Sequence, residues 1–86
     1  MFENLEFLIK TIRGRKNLSP DNSYTNKLLN DKNLSVSKVK EEISELIEAV
    51  EKNSNKIHEA ADVIYHLMVY LEANDVKIED VMTELK

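Results

Sequence analysis

The chain has 86 residues, 42% of them hydrophobic and 33% charged, a composition that fits one soluble domain and excludes a disordered chain. A formal net charge of −4 gives no electrostatic reason to expect nucleic acid as a partner, and the lack of Cys excludes disulfides and thiol catalysis. No apolar run approaches the roughly 20 residues needed to span a membrane, so we expect a cytoplasmic protein without a membrane partner.

Helix-forming residues dominate, and the single Gly and single Pro leave few places to interrupt a helix. The composition therefore predicts an all-α fold. Residues 1–86 are expected to form one domain whose core is small, and dimerisation is a natural way to complete such a core.

Apolar residues at helical spacing from Phe2 to Ile12 predict a first helix that ends near Gly14. Residues 17–23, with the sequence NLSPDNS, are rich in turn formers and predict a linker. Ser23 is expected to cap a short second helix that extends to Leu29.

A polar break at residues 30–33 is expected before the third helix, with Ser35 or Ser37 as its cap and Lys52 near its end. Its apolar residues fall within an arc of about 100° and predict a stripe that faces the core. These residues are Val36, Val39, Ile43, Leu46, Ile47 and Val50.

Residues 53–55 are expected to break the chain and to cap a fourth helix over residues 55–74, which should be the most buried element. A short final helix follows over residues 78–85. Because the break between the third and fourth helices is short, these two helices should form an antiparallel hairpin. The prediction is a small bundle of four to five helices built around that hairpin.

Two pairs of acidic residues lie beside the apolar faces of the hairpin. If Ile43 marks the centre of the third helix's apolar face, Glu42 lies about 100° and Glu45 about 160° to the same side. Glu59 and Asp62 are placed in the same way on the fourth helix. Since Glu45 and Asp62 are nearly equidistant from the turn, the two pairs should face each other.

Four converging carboxylates repel one another unless something neutralises them. Protons, a basic neighbour such as Lys38 or a hard divalent cation would do so. Ligands that offer only oxygen select Mg²⁺ or Mn²⁺ over zinc. A run of the type EExxE is more often a solvated helix face, so spacing alone leaves both interpretations open.

Two basic or titratable residues have similar alternatives. Arg13, at the end of the first helix, either complements the helix dipole or binds phosphate. His66, on the most apolar helix, is expected to be a hydrogen-bonded core histidine rather than a ligand or base.

The pattern EExxE at residues 41–45, followed by ExxD at residues 59–62, resembles the signature of the MazG-like all-α nucleoside triphosphate pyrophosphohydrolases. Residues 23–29, SYTNKLL, and residues 59–67, EAADVIYHL, are similar to segments of one member, the phosphoribosyl-ATP pyrophosphohydrolase family. The tail over residues 76–85 also resembles the end of that family.

The resemblance implies the second step of histidine biosynthesis, in which phosphoribosyl-ATP and water give phosphoribosyl-AMP and pyrophosphate, and it implies a homodimer. It implies a nucleotide site with Mg²⁺, or alternatively Mn²⁺, held by Glu42, Glu45, Glu59 and Asp62. Glu42 or Glu45 would take the proton of the attacking water. Candidate substrate ligands are Ser23, Tyr24, Thr25 and Lys27, followed by Arg13 and Lys38.

Two alternatives remain at this stage. A related MazG-like enzyme that clears other nucleoside or deoxynucleoside triphosphates would share the chemistry and differ in its base pocket. A non-catalytic helical interaction module would carry the same acids as surface charge.

Overall fold

Five α-helices form the fold of the computed structural model, which describes residues 1–18 and 23–85. They are α1 (Glu3–Gly14), α2 (Tyr24–Leu29), α3 (Lys32–Lys52), α4 (Lys56–Ala73) and α5 (Ile78–Glu84). A short 3₁₀ helix, Arg15–Asn17, extends α1, and the described ranges contain no strand. The all-α prediction is confirmed, whereas positions 19–22 of the predicted linker lie outside the described residues. No helix in the described part of the chain is long and apolar enough to cross a membrane.

The predicted hairpin is formed by α3 and α4, and α4 contacts each of the other four helices. Its turn depends on two asparagines in the left-handed backbone region, Asn53 with φ 53° and Asn55 with φ 58°. Asn tolerates this region better than most residues do. The N–H of Ser54 donates to the Ala49 carbonyl at 3.0 Å and closes the end of α3. Asn55 stands at the N-cap of α4 without a capping hydrogen bond from its side chain, so the predicted cap is right only in position.

The start of α3 differs from the prediction. Asp31 is the N-cap, and its Oδ1 accepts a hydrogen bond from the Leu34 N–H at 3.0 Å. Asp and Ser are about equally good caps, so local preference does not decide between them. Ser35, one of the two predicted caps, is only 1% exposed because it lies inside the helix on its buried face. Ser37 also lies within α3 and is exposed.

The buried face of α3 is not the predicted apolar stripe. Ser35, Glu42 and Ala49, spaced seven residues apart, are the buried residues of this helix. Ile43 is 42% exposed and Ile47 54% exposed, so the centre of the predicted stripe faces away from the rest of the chain. The small side chains of Ser35 and Ala49 leave room for neighbouring helices to approach, while Ile43, Ile47 and Val50 point outward and Val36, Val39 and Leu46 are half-buried.

Helix α4 is central, although one chain alone does not bury it fully. Val69 is 0% exposed and His66 8% exposed, whereas Ile57 is 88% and Ile64 46% exposed. The prediction that α4 is the most buried element is therefore correct for its inner face and wrong for its outer face.

The core of the chain lies where α1, α2 and α4 meet. Its buried aliphatic residues are Ile12, Leu28, Leu29 and Val69. Asn26 is buried beside them at 1% exposure, and its side-chain amide donates to the carbonyls of Arg15 and Lys16 at 2.7 and 3.1 Å. The Asn26 side chain therefore fastens α2 to the 3₁₀ helix that follows α1.

We expect Asn26→Ala to lower the free energy of unfolding by about 2–3 kcal/mol, because it leaves two carbonyls without their buried donor. Urea unfolding followed by circular dichroism measures the change. Asn33→Ala, at an exposed position of α3, is the matched control and should change it by less than about 0.5 kcal/mol. An equal effect of the two substitutions would contradict this role for Asn26.

Candidate metal and substrate site

The α3–α4 hairpin places Glu42 in the centre of the buried face of α3. The residue is 8% exposed, which is unusual for a carboxylate. Its Oε2 atom is buried without a hydrogen-bond partner among the described residues. A buried carboxylate oxygen in this state is strongly unfavourable unless a proton or a cation compensates it.

Glu42 is joined by Glu45 on the same helix and by Glu59 on α4. Each of the three offers a carboxylate oxygen, and these oxygens all lie within 4.8 Å of one another. The Oε2 atom of Glu59 is also buried without a partner in the described part of the chain. The donor set contains only oxygen, which is the set that a hard divalent cation prefers. We call these three residues the carboxylate cluster.

The proton affinities of the cluster reflect this crowding. Burial raises the pKa of Glu42 above its usual value, and the charge of Glu45 raises it further. Burial also raises the pKa of Glu59, with smaller contributions from Glu45 and Asp62. Both acids therefore hold a proton more readily in the folded chain than in the unfolded chain.

This difference predicts how stability depends on pH. Because the folded state binds more protons just above the ordinary carboxyl pKa, metal-free protein should lose stability as pH rises through the raised values. The melting temperature in EDTA is therefore expected to be higher near about pH 5 than near about pH 7. The pKa of Glu79 is lowered to about 2. This group therefore reduces the stability of the folded chain only as the pH falls through the ordinary carboxyl range. Scanning calorimetry in EDTA from about pH 5 to about pH 7 measures the melting temperature. A lower melting temperature at pH 5 than at pH 7 would contradict the prediction.

Asp62 belongs to a second group of side chains that shares Glu59 with the carboxylate cluster. Its Oδ2 is 3.3 Å from Nε2 of His58, one turn earlier on α4. His58, Glu59 and Asp62 form a second group whose ligand atoms lie within 4.8 Å of one another. The four predicted carboxylates are thus brought together as two overlapping groups that share Glu59.

Tyr24 connects α2 to the same region through His66. The Nδ1 atom of His66 lies 2.9 Å from the Asp62 carbonyl, which only accepts, so Nδ1 carries the proton. Nε2 therefore accepts a hydrogen bond from the Tyr24 hydroxyl at 3.3 Å. Both ring nitrogens of His66 are engaged, as expected for a core histidine.

The other residues predicted to contact substrate surround Tyr24. The Oγ atom of Ser23 caps α2 by accepting from the Asn26 N–H at 3.1 Å. The Thr25 hydroxyl is hydrogen-bonded to the Tyr65 hydroxyl of α4. Lys27 is exposed. These contacts fix the start of α2 against α4, close to Asp62.

Lys38 and Glu41 form an ion pair on α3. The Nζ of Lys38 is 3.1 Å from Oε2 of Glu41. Burial raises the pKa of the Tyr24 hydroxyl, and the nearby charge of Lys38 partly offsets this. Lys38 therefore lies beside Tyr24, whereas Glu41 is exposed and does not join the carboxylate cluster.

Arg13 is held elsewhere. Its guanidinium donates to both carboxylate oxygens of Glu79 at 2.7 and 2.9 Å and to Glu72 at 3.4 Å. Glu72 also pairs with Lys16 at 2.6 Å. Because Glu72 is ten residues beyond Asp62 on α4, this network lies about 15 Å away along the helix. The structure does not bring Arg13 to the carboxylate cluster.

Three contributors to this region were not predicted from the sequence, namely Asn26, His58 and Tyr65. The position of Asn26, a polar residue between Thr25 and the buried pair Leu28–Leu29, could have indicated its role. The spacing of four residues between His58 and Asp62 was a usable signal for a shared helix face. The contact of Tyr65 with Thr25 depends on packing between helices and had no local signal.

The sequence is similar to known proteins over nearly its whole length. The sequence matches the family described as phosphoribosyl-ATP pyrophosphohydrolase over residues 5–86. A phosphoribosyl-ATP pyrophosphatase of Caulobacter sp. (strain K31) is 42% identical over 87 residues, covering 99% of this chain and 81% of the relative. A phosphoribosyl-ATP pyrophosphatase of Halobacterium salinarum is 38% identical over 91 residues, covering 99% of this chain and 96% of the relative. No solved structure gives a significant match.

A longer protein is also similar to this chain. The histidine biosynthesis trifunctional protein of Kluyveromyces lactis is 44% identical over 78 residues, covering 91% of this chain and 10% of that protein. The family match spans nearly the whole chain, and both motif segments lie within it. The chain belongs to the phosphoribosyl-ATP pyrophosphohydrolase family.

Proposed function

We propose that this protein hydrolyses phosphoribosyl-ATP to phosphoribosyl-AMP and pyrophosphate in a reaction that requires Mg²⁺, for which Mn²⁺ can substitute. The proposal includes a cytoplasmic location, because the substrate derives from ATP. The observation that carries it is the carboxylate cluster of Glu42, Glu45 and Glu59, with two buried oxygens that have no partner in the described residues. Family membership supports the substrate.

The metal would be held by the carboxylate cluster and Asp62. When bound, it supplies Lewis-acid polarisation of phosphate oxygens and offsets charge on the leaving pyrophosphate. The two unpartnered oxygens, Glu42 Oε2 and Glu59 Oε2, fit this role because a cation would satisfy both.

Glu42 and Glu45 are the candidate proton acceptors for the attacking water. A general base works best when its pKa is near the working pH. In the metal-free chain burial raises the pKa of Glu42, and a bound cation would oppose that shift. Glu45 is less buried and can contact water from solvent.

The start of α2 would bind the phosphates. The Ser23 hydroxyl accepts from the Asn26 N–H and keeps its own proton to donate to a phosphate oxygen, whereas the Tyr24 and Thr25 hydroxyls are hydrogen-bonded to His66 and Tyr65 of α4 and would line the site. Lys27 and Lys38 would add positive charge. In this proposal Arg13 stabilises the contact among α1, α4 and α5 instead.

Pyrophosphate release from phosphoribosyl-ATP, compared with release from dCTP and dUTP at saturating Mg²⁺, tests the substrate. We expect kcat/KM to favour phosphoribosyl-ATP by about 10²-fold or more. Faster turnover of the deoxynucleotides would favour the alternative of a MazG-like enzyme that clears them. Absence of turnover with any of the three would favour a non-catalytic interaction module.

The proposal includes a homodimer. On α3, Ile43, Ile47 and Val50 are 42%, 54% and 56% exposed, and on α4 Ile57 and Ile64 are 88% and 46% exposed. Exposed aliphatic surface on both helices of the hairpin is typical of an interface between chains. A second copy would bury the outer face that one chain leaves uncovered.

We expect Ile47→Glu to convert the dimer into a monomer, because an unpaired carboxylate would be buried in the interface. Sedimentation equilibrium measures the mass in solution. Ser37→Glu introduces the same charge at an exposed α3 position on another face of the helix and should leave the dimer intact. A monomeric wild-type protein would contradict the proposed interface.

A further inference from the structure

Two consecutive residues of α4 are hydrogen-bonded to two consecutive residues of α2. The Tyr65 hydroxyl is hydrogen-bonded to the Thr25 hydroxyl. One residue further along α4, Nε2 of His66 accepts from the Tyr24 hydroxyl at 3.3 Å. The rings of Tyr24 and His66 also meet edge to face, with centroids 6.1 Å apart, an arrangement typical of aromatic contacts. We call these two hydrogen bonds the α2–α4 clasp.

The ring of His66 is fixed in the orientation that the clasp requires. Its Nδ1 donates to the Asp62 carbonyl at 2.9 Å, which leaves Nε2 of the neutral ring as an acceptor for Tyr24. The residue is buried, so its ring has little access to a substrate. His66 therefore acts on α2 rather than on a bound nucleotide.

Other contacts already hold α2 in the fold. Leu28 and Leu29 are buried in the core, and the Asn26 side chain donates to the backbone that follows α1. The start of α2 is different, because Tyr24 is 48% exposed and Ser23 is half-buried. Little apolar burial fixes this end. The clasp therefore determines where the start of α2 lies more than whether α2 folds.

Ser23 comes directly before the two residues that the clasp holds. Its Oγ accepts from the Asn26 N–H at 3.1 Å and keeps its own proton to donate. Hydrogen bonds to Tyr24 and Thr25 limit the movement of the adjoining Ser23 hydroxyl. A hydroxyl donor must lie within about 3 Å of its acceptor to form a good hydrogen bond. A small displacement of this end of α2 would therefore weaken a contact with substrate.

We infer that Tyr65 and His66 are positioning residues for the hydrolysis of phosphoribosyl-ATP, since the clasp holds the Ser23 hydroxyl where it meets a phosphate oxygen. The inference rests on the proposed function and assigns a role to two residues outside the carboxylate cluster. The Ser23 contact would be made equally in the ground state and in the transition state. Loss of the clasp should therefore raise KM and leave kcat nearly unchanged.

Tyr65→Phe tests the inference, because it removes only the hydroxyl that bonds to Thr25. We expect KM for phosphoribosyl-ATP to rise about 10-fold, the effect of losing one hydrogen bond to a charged group. Both kcat and the Kd for Mg²⁺ should stay within about 3-fold of wild type. Steady-state release of pyrophosphate gives KM and kcat, and calorimetry gives the Kd. Tyr70→Phe removes the hydroxyl of another partly exposed tyrosine of α4 and should keep the wild-type KM.

Two substitutions of His66 separate hydrogen bonding from packing. Leu has no acceptor for the Tyr24 hydroxyl, so His66→Leu should raise KM as Tyr65→Phe does. The side-chain oxygen of Gln can accept from Tyr24, so His66→Gln should bring KM back to within about 3-fold of wild type. Equal KM values for the two variants would overturn this role for His66.

Ser23→Gly identifies the group through which the clasp acts. Gly lacks the hydroxyl and retains most of the stability of a Ser cap. In this background Tyr65→Phe should raise KM by less than about 2-fold, because both changes remove the same contact. A full further rise of about 10-fold would overturn the inference.

The kinetic constants also separate this inference from the proposed function. A variant that only unfolds more easily loses active protein, which lowers the apparent kcat and leaves KM unchanged. That result for Tyr65→Phe, or a wild-type KM, would overturn the inference and leave the proposed function intact. Wild-type protein without Mg²⁺-dependent release of pyrophosphate would overturn both.

Discussion

Glu45→Gln is expected to lower kcat for phosphoribosyl-ATP by about 10³-fold while leaving the fold intact. Glu45 lies in the carboxylate cluster between Glu42 and Glu59, and its oxygen is within 4.8 Å of theirs. Gln has the same shape without the negative charge, so the change weakens a ligand of the proposed cation and removes a candidate proton acceptor. Loss of one preorganised electrostatic contact alone reduces kcat by about 10²–10³-fold.

Steady-state release of pyrophosphate measures this effect, and circular dichroism checks the fold. Glu51→Gln is the matched control, because Glu51 is an exposed glutamate on the same helix. Its kcat should stay within about 2-fold of wild type, as is usual for exposed positions away from a site. A folded Glu45→Gln variant with kcat within 10-fold of wild type would show that Glu45 is not part of the catalytic site.

Glu42→Gln is expected to make the metal-free protein more stable and nearly inactive. Glu42 is 8% exposed and its pKa is raised by burial and by the charge of Glu45. Gln removes the buried charge, and its amide can donate to a neighbouring carboxylate. We expect a gain of about 1 kcal/mol in the free energy of unfolding in EDTA, the size of many stabilising changes at functional sites.

Urea unfolding in EDTA measures the gain in the free energy of unfolding. The assay of pyrophosphate release measures kcat, which should again fall by about 10³-fold. Glu51→Gln should change neither quantity appreciably. A Glu42→Gln variant that is less stable than wild type and fully active would mean that the carboxylate serves the fold rather than the reaction.

The sequence was sufficient to place the hairpin and the acids. The break at residues 53–55 and the apolar periodicity on each side identified α3 and α4, because Asn-rich breaks and helical spacing are local signals. The offset of Glu42 and Glu45 from the apolar residues, repeated by Glu59 and Asp62, predicted that these four side chains lie close together. Three of these four form the carboxylate cluster, and Asp62 adjoins it through Glu59.

The orientation of α3 could not be obtained in the same way. An apolar stripe shows which side chains avoid water, without showing whether the same chain or a second copy covers them. Ile43 and Ile47 are exposed, while Glu42 occupies the buried face. The choice of Asp31 over Ser35 as the cap of α3 likewise depended on the burial of Ser35, which is a tertiary property.

The central claim is that the carboxylate cluster supports a metal-dependent hydrolysis, and adding metal back to stripped protein tests it most directly. Pyrophosphate release from phosphoribosyl-ATP should be undetectable in EDTA and should rise to saturation as Mg²⁺ is added in excess. Glu59→Gln removes the negative charge of the carboxylate shared by both groups of donors, and its activity should not recover with Mg²⁺. Undiminished release in EDTA, or full recovery of Glu59→Gln by Mg²⁺, would contradict the claim.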